Sequence, residues 1–323
     1  MALAAGGSPR VDLHSHVIAP SLPDLERNHP FGRWPTLERD GDRGSILVGG
    51  RHFREVDNRC WSAERRVVDL DADGVDVQVV SPVPVTLCHD APAAGAILLA
   101  AAQNDFLADF VAGAPDRLVA LGAVPLQEPE AAVAELERCV GELGFSGVEI
   151  GTVAGEWELS DAALDPFFVA AERLGALVFV HPATLPGGAR LAPLDLAFGV
   201  GMPCETAVAA AHLLAGGVLG AHPGVRICLA HGGGALPMIL PRIDRGWQLQ
   251  SERLRRSSVP PSSFARSLYA DSLTYDPASL ALAVSCFGAN RIMLGTDYPF
   301  AARETPPGAV LEAGLARGLL DEE

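Results

Sequence analysis

The sequence predicts a (β/α)₈ barrel, in which eight parallel strands are each followed by a helix on the outside. Runs rich in β-branched and other apolar residues alternate eight times with windows rich in Ala, Leu and Glu along the 323 residues. The strand runs are apolar almost throughout, as expected of strands that are buried on both faces. The composition, 49% apolar and 20% charged, is that of a compact folded chain. A doubly wound sheet is the alternative, because counting elements from one sequence can err by one.

The predicted elements follow one another in strand–helix order. Apolar runs predict eight strands, at residues 11–16, 75–80, 118–124, 145–151, 176–182, 225–232, 267–273 and 291–297. Windows of helical composition predict the helices that follow them, at residues 63–73, 91–113, 129–143, 161–174, 203–215, 235–247, 277–287 and 308–321. We therefore expect residues 1–323 to form a single barrel domain.

One long insertion breaks this alternation after the first strand. Residues 19–60 are irregular and rich in Pro, Gly, Arg and Asp. Within them, SILVGGRHFREV (45–56) predicts a small hairpin that turns at Gly49 and Gly50. A connection of this length in a compact domain is more often functional than idle.

Charge and cysteine usage exclude several classes of protein. Lys and Arg total 24 against 40 Asp and Glu, which gives a net charge of −16 and argues against binding to a phosphate backbone. The six cysteines include no CxxC pair, which is typical of buried thiols in a reducing compartment. The residues before Val11 are too few for a signal peptide, and no uninterrupted apolar run is long enough to span a membrane. We expect a cytoplasmic protein that binds neither nucleic acid nor membrane.

Two histidines lie at the end of the first predicted strand. His14 and His16 are two residues apart, so the period of a strand points both side chains to the same face. Imidazoles placed in this way can hold one metal ion. Taken alone the pattern is weak, because two solvated histidines at a strand end explain it equally well.

Three further polar residues end predicted strands. His181 ends the fifth strand, His231 the sixth and Asp297 the eighth. A single histidine at such a position is more often a core residue, but catalytic groups of a barrel converge at these carboxyl ends. Together with His14 and His16 they predict a metal site. No cysteine belongs to the set, which favours a catalytic site for Zn²⁺ or another divalent ion that stays open to water.

These motifs carry a resemblance to a known family. The chain contains HxH at 14–16, His-Pro at 181–182, HGGG at 231–234 and GTDYPF at 295–300. In this combination it resembles the amidohydrolase superfamily, in the branch of metal-dependent decarboxylases, over nearly its whole length. The Phe-Arg hairpin of the insertion makes it most similar to the carboxymuconate-type decarboxylases of that branch.

The resemblance implies roles for the residues of the predicted site. It implies that His14, His16, His181 and Asp297 hold one zinc ion per chain, with another divalent metal as the alternative. His231 would be the general acid and base. Bound Zn²⁺ lowers the pKa of its water towards about 7, and a neutral imidazole can take the proton. The resulting hydroxide would add to a substrate double bond, CO₂ would leave, and the carbon would be reprotonated.

The resemblance also implies two substrate-binding arginines. Arg54 would bind a carboxylate of a small unsaturated amino- or hydroxy-acid, with 2-amino-3-carboxymuconate 6-semialdehyde of tryptophan breakdown as the expected substrate. From composition alone, Arg54 reads as a solvated hairpin residue. Arg242 matches an arginine that the family supplies from the neighbouring subunit, which implies a homodimer. From composition alone, Arg242 pairs with Asp244 or Glu252 on its helix.

Several alternatives stay open at this point. The segment 183–198 lacks the tryptophan that relatives commonly carry there, which leaves the exact substrate undecided. The glycines of HGGG form either an anion-binding nest or a site of close backbone packing. The same barrel and metal could instead hydrolyse a lactone or an amide. A binding or scaffold protein with a vestigial metal site is a further alternative.

Overall fold

The computed structural model describes residues 8–183 and 188–321. The chain divides into two compact units, the first running to Glu149 and including Leu294–Gly308, the second formed by Ile150–Met293 and the residues from Ala309 onward. Strands and helices alternate along the chain, and the (β/α)₈ fold class predicted from the sequence is confirmed.

The first unit contains four neighbouring parallel strands and the insertion. Its strands are β1 (Val11–Asp12), β2 (His16–Val17), β3 (Pro35–Asp40), β4 (Arg43–Val48), β5 (Arg51–Asp57), β6 (Val77–Pro82), β7 (Leu118–Ala123) and β8 (Gly147–Ile150). Its helices are α1 (Ala63–Asp73), α2 (Ala93–Ala112) and α3 (Pro129–Gly141). β1, β6, β7 and β8 are parallel neighbours in that order, and β2 also pairs with β6 in parallel.

Residues 294–298 run alongside the first strand region within this unit. The Leu13 N–H donates to the Leu294 carbonyl at 2.7 Å, and the His16 N–H donates to the Tyr298 carbonyl at 2.8 Å. Between them, the Asp297 N–H donates to the His14 carbonyl at 2.8 Å. This pairing places the segment 294–298 directly beside residues 13–16.

The insertion forms a three-stranded antiparallel sheet in the order β3–β4–β5. The predicted hairpin is present as β4 and β5, and it turns at Gly49 and Gly50, whose φ angles are 56° and 71°. Such left-handed angles suit glycine in a two-residue hairpin turn. β3 was not predicted. Ile46 anchors the sheet, because its side chain is fully buried in an apolar cluster with Cys60 and Phe300.

The second unit contains the remaining strands and helices. Its strands are β9 (Val153–Ala154), β10 (Trp157–Glu158), β11 (Leu177–Val180), β12 (Arg226–Leu229), β13 (Tyr269–Asp271) and β14 (Ile292–Met293). Its helices are α4 (Asp165–Leu174), α5 (Gly188–Leu191), α6 (Met202–Ala215), α7 (Val218–Ala221), α8 (Leu236–Leu249), α9 (Pro277–Phe287) and α10 (Ala309–Ala316). β11 to β14 are parallel neighbours in chain order, and β9 pairs with β10 as a separate short ribbon.

Two helical stretches are long and apolar enough to cross a membrane, Ala93–Ala112 and Ala197–Ala215. In each, 44% of the most apolar window is buried inside the fold. Core helices of a barrel pass the same test of length and hydropathy, so the two stretches are weak evidence for a membrane span. All six cysteines are free thiols.

Candidate metal and catalytic site

Three predicted metal ligands meet in the first unit. His14 and His16 are fully buried, and their Nε2 atoms lie 3.0 Å apart. The Oδ1 atom of Asp297 lies 3.4 Å from the Nε2 of His16 and 3.6 Å from that of His14. Two imidazole nitrogens and a carboxylate oxygen in one cluster form a donor set that suits a divalent cation.

The tautomer of His16 follows from its surroundings. Its Nδ1 lies 3.1 Å from the carbonyl oxygen of Pro82, which can only accept, so Nδ1 carries the proton. Burial lowers the pKa of His16 to about 4, which keeps the ring neutral. The lone pair of Nε2 therefore faces the carboxylate of Asp297. A cation stabilises such an arrangement of electron-rich atoms, so these residues fit a metal ion.

Asp12 fixes the two backbone segments that carry these ligands. Its buried carboxylate accepts hydrogen bonds from the Thr296 N–H (3.0 Å), the Thr296 hydroxyl (2.6 Å) and the Gln78 side chain (2.7 Å). The His14 N–H is a fourth donor, at 3.2 Å. Since Thr296 precedes Asp297, one carboxylate holds both the HxH segment and the segment of Asp297.

Arg66 of α1 holds the HxH segment with its own side chain. Its guanidinium is fully buried and donates to the His16 carbonyl at 2.6 Å, to the Ser15 hydroxyl at 3.0 Å and to Gln78 Oε1 at 2.8 Å. Sequence reasoning missed this residue, because Arg66 lies in a helical window where a charged side chain reads as solvated. The only signal was its place on the face of α1 that also carries buried Leu70.

Glu149 of β8 is a second residue that the sequence analysis missed. Its side chain is fully buried, and its Oε2 lies 3.9 Å from the Nδ1 of His16. Neither carboxylate oxygen has a hydrogen-bond partner within the described part of the chain. Burial raises the pKa of Glu149 to about 8, against smaller lowering effects of Ser81 and His14. An acidic residue inside the apolar run GVEI was the available signal.

Arg54 contacts the ring of Phe300, which in turn stacks on the proposed metal ligand His16. Its guanidinium sits 4.1 Å from the centre of the Phe300 ring, and that ring stacks on His16 with 5.4 Å between centres. No acidic partner of Arg54 is found among the described residues, whereas Arg59, two residues after the end of β5, pairs with Asp57 at 2.7 Å. Arg54 therefore carries a positive charge that an anionic ligand can use.

The other two predicted residues meet in the second unit. The rings of His181 and His231 lie 4.9 Å apart between centres in an edge-to-face arrangement. The Nδ1 of His181 lies 3.1 Å from the Pro182 carbonyl, which leaves Nε2 as the nitrogen that can bind a metal. His181 is buried, while His231 is only partly buried.

Asp271 holds the turn that carries His231. Its buried carboxylate accepts from the His231 N–H at 2.9 Å and from the Gly232 N–H at 2.8 Å. These amides already bind a carboxylate of the protein itself. A Cβ atom on Gly234 would lie 2.3 Å from the Pro203 carbonyl, and one on Gly233 would lie 2.7 Å from Phe287. The glycines of HGGG thus serve close packing, one of the two alternatives that the sequence left open.

A cavity of about 310 Å³ adjoins His231 within the second unit. Its wall is mostly apolar and includes Phe198, Met202, Leu273 and Leu282. Residues 184–187, part of the segment whose composition departs from the expected pattern, lie outside the described residues.

Arg242 lies on α8 with its side chain exposed. It makes no hydrogen bond or ion pair with any described residue. The alternative interpretation from composition, an ion pair with Asp244, is wrong, because that carboxylate accepts from the Ser262 N–H at 3.0 Å and from its hydroxyl.

Comparison with known proteins decides the family. Residues 11–323 match the profile described as amidohydrolase. The chain belongs to the amidohydrolase family. It is 35% identical to a 2-amino-3-carboxymuconate-6-semialdehyde decarboxylase of Dictyostelium discoideum, over 95% of this chain and 86% of that protein. It is 31% identical to a gamma-resorcylate decarboxylase of Rhizobium radiobacter, over 79% of this chain and 82% of that protein.

Among solved structures, the chain resembles a dihydroxybenzoic acid decarboxylase of a Polaromonas species that contains bound manganese and the inhibitor 2-nitroresorcinol. The TM-score is 0.72 at 26% identity, covering 93% of this chain and 88% of that chain. These relatives place the protein among the metal-dependent carboxy-lyases of its family, the class that the sequence predicted.

Proposed function

We propose that this protein is a divalent-metal-dependent, non-oxidative decarboxylase of an unsaturated or aromatic carboxylate. The observation that carries the proposal is the cluster of His14, His16 and Asp297, together with Arg54, which stacks on Phe300 beside it and has no acidic partner among the described residues. A cation site can polarise an anionic acid, and the guanidinium of Arg54 can bind its carboxylate. One relative cited above is a 2-amino-3-carboxymuconate-6-semialdehyde decarboxylase, and we propose 2-amino-3-carboxymuconate 6-semialdehyde as the first substrate to test.

The metal would be held by His14, His16 and Asp297, and we propose His181 as the fourth ligand. A divalent ion would supply Lewis acidity toward water and substrate oxygens. We propose zinc, because three imidazoles and one carboxylate without sulfur match its catalytic sites. The bound manganese of the Polaromonas relative supports a divalent ion in general and makes manganese the alternative.

His231 would move the protons. Its Nδ1 is buried, so we assign proton transfer to Nε2. The ring would take a proton as water is activated and return it to the carbon that loses CO₂. The hydrogen bond that the His231 N–H donates to the Asp271 carboxylate holds this residue in place for both transfers. The apolar cavity beside it would exclude water from the carbon skeleton of the substrate.

Arg54 would hold a substrate carboxylate through two parallel N–H donors. Its stacking on Phe300 orients the planar guanidinium, which reduces the entropy lost on binding. Arg242, exposed and unpaired among the described residues, would reach the site of a second copy, and we therefore propose a homodimer. The six free thiols support our proposal of a cytoplasmic location.

A single coupled experiment tests the reaction. Bound metal is measured by elemental analysis, freshly prepared aminocarboxymuconate semialdehyde is added, and its absorbance is followed together with released CO₂. Stoichiometric CO₂ that depends on about one metal per chain supports the proposal. Water added to a lactone or amide with no carbon lost would instead establish the hydrolase alternative. Metal without CO₂ directs the search to other unsaturated or aromatic acids.

A further inference from the structure

The carboxylate of Glu149 is buried and accepts no hydrogen bond in the described part of the chain. Its side chain has no solvent exposure. The Ser81 hydroxyl and the His16 ring face this carboxylate, and each is hydrogen-bonded elsewhere. The Ser81 hydroxyl donates to the Ser15 carbonyl, and the Nδ1–H of His16 points to the Pro82 carbonyl.

A buried carboxyl group of this kind is ionised only beside a counter-charge. Taking a carboxylate out of water without hydrogen bonds or an opposite charge is among the most unfavourable arrangements in a protein interior. The ionisable groups that face it are His14, His16 and Asp297, and the Nδ1–H of His16 is already held by the Pro82 carbonyl. Once His14 and His16 bind a metal as neutral rings, the described residues that face Glu149 supply no positive charge.

A count of the charges at the site indicates that a divalent ion supplies the positive charge beside Glu149. The histidine ligands are neutral when they bind a metal through a lone pair, so Asp297 alone leaves a divalent ion with one uncompensated charge. Glu149 supplies the second negative charge, 3.9 Å from the distal nitrogen of His16. Two carboxylates and one divalent ion make the buried site electrically neutral.

We propose that Glu149 is a charge-compensating and positioning residue of the metal site, whose carboxylate balances the divalent ion held by His14, His16 and Asp297. This inference rests on the metal-binding part of the proposed function and is independent of the substrate. It explains why a polar residue that no hydrogen bond stabilises lies inside β8. Partners behind the ligands of a metal site commonly contribute 10- to 100-fold to metal affinity.

The test is metal binding by Glu149→Gln, which removes the charge and keeps the shape. Wild type and variant are stripped with a chelator and titrated with Zn²⁺ and, separately, with Mn²⁺ by calorimetry. The Tm of each protein is measured with and without metal. We expect the stripped variant to melt no lower than stripped wild type, its metal affinity to fall about 10- to 100-fold, and its gain in Tm on adding metal to shrink.

Two further variants keep the test decisive. Glu135→Gln removes a carboxylate that is paired with Arg138, so it should leave metal affinity unchanged. If Glu149→Gln does not fold, Glu149→Leu replaces the group by an apolar one that a dry site accepts. Metal affinity within twofold of wild type in a folded Glu149 variant would overturn the inference, as would wild type that binds neither metal. Tight metal binding without decarboxylation would reject only the proposed reaction.

Discussion

Two residues of the proposed site adopt a backbone conformation that side chains seldom tolerate. His231 and Asp297 have φ angles of 58° and 60°, in the left-handed region. Each such residue costs on the order of 1–3 kcal/mol unless its surroundings enforce it. Asp271 enforces the turn at His231, and the hydrogen bond from the Asp297 N–H to the His14 carbonyl enforces the other. The fold thus loses some stability in order to orient both side chains.

The backbone at His231 determines which substitution tests its role. We expect His231→Asn to retain metal and to lose turnover by about 100-fold or more, because the general acid and base is removed. Asparagine tolerates the left-handed conformation better than alanine does, so the fold is preserved. Elemental analysis and kcat measure the two effects.

His222→Asn is the matched control, since His222 lies in the same unit and pairs with Asp165. It should leave turnover near that of wild type. Near-normal kcat in folded His231→Asn would remove His231 from the catalytic role.

Arg54 is expected to act through geometry as well as charge. Arg54→Lys keeps the charge but loses the two-pronged contact and the planar stack on Phe300. We expect kcat/KM to fall about 10- to 100-fold, as when a hydrogen bond to a charged group is lost, with metal content unchanged.

Arg51→Lys changes an exposed arginine of the same strand and should have little effect. Equal kcat/KM for the two lysine variants would refute a substrate-binding role for Arg54.

At the scale of elements, the local sequence pattern was sufficient to predict the bounds of some helices. The helices predicted at 63–73 and 277–287 have those bounds in the structure. The run 11–16 was predicted as one strand but forms β1 and β2, because residues 13–15 pair instead with the segment from Leu294 to Tyr298. β3 was missed because Pro35–Asp40 has mostly polar residues and pairs only through the neighbouring hairpin.

The missed site residues share one cause. His14, His16, His181, His231 and Asp297 were visible because polar groups ended apolar runs. The importance of Glu149, Arg66 and Asp271 depends on contacts with residues distant in the sequence, which a single sequence does not reveal. Interactions between elements, more than those within one element, determine which charged residue is buried.

Asp12 makes one such interaction between elements measurable, because its carboxylate joins β1 to the segment that contains Asp297. Asp12→Asn keeps one oxygen for four donors, so we expect the free energy of unfolding to fall by about 2–4 kcal/mol. Metal affinity should fall as well, since both ligand-bearing segments loosen. Denaturant titration and calorimetry measure these changes.

Asp71→Asn provides the comparison. Asp71 forms an exposed ion pair with Arg117, and loss of such a pair changes stability by about 0–1 kcal/mol. If Asp12→Asn were as mild as Asp71→Asn, Asp12 would not hold the two segments together.

At the scale of the whole molecule, charge distribution constrains how an acid is bound. The net charge of −16 repels anions at a distance, so capture depends on local cations. Of the candidates, Arg54 lies beside the metal ligands of its own chain, whereas Arg242 is exposed on α8 and unpaired among the described residues. If Arg242 binds substrate as proposed, the surface that covers it is that of a second copy of the chain.

Subunit mixing tests whether Arg242 serves a neighbouring site. His231→Asn and Arg242→Ala chains are each expected to be inactive as homodimers. In a mixed dimer, the chain with intact His231 receives Arg242 from its partner, so one of the two sites is complete. Equal random mixing should restore about a quarter of wild-type activity, since about half of the dimers are mixed and each has one intact site. If Arg242 acted within its own chain, every site in the mixture would carry one of the two defects, and a verified heterodimer would stay inactive.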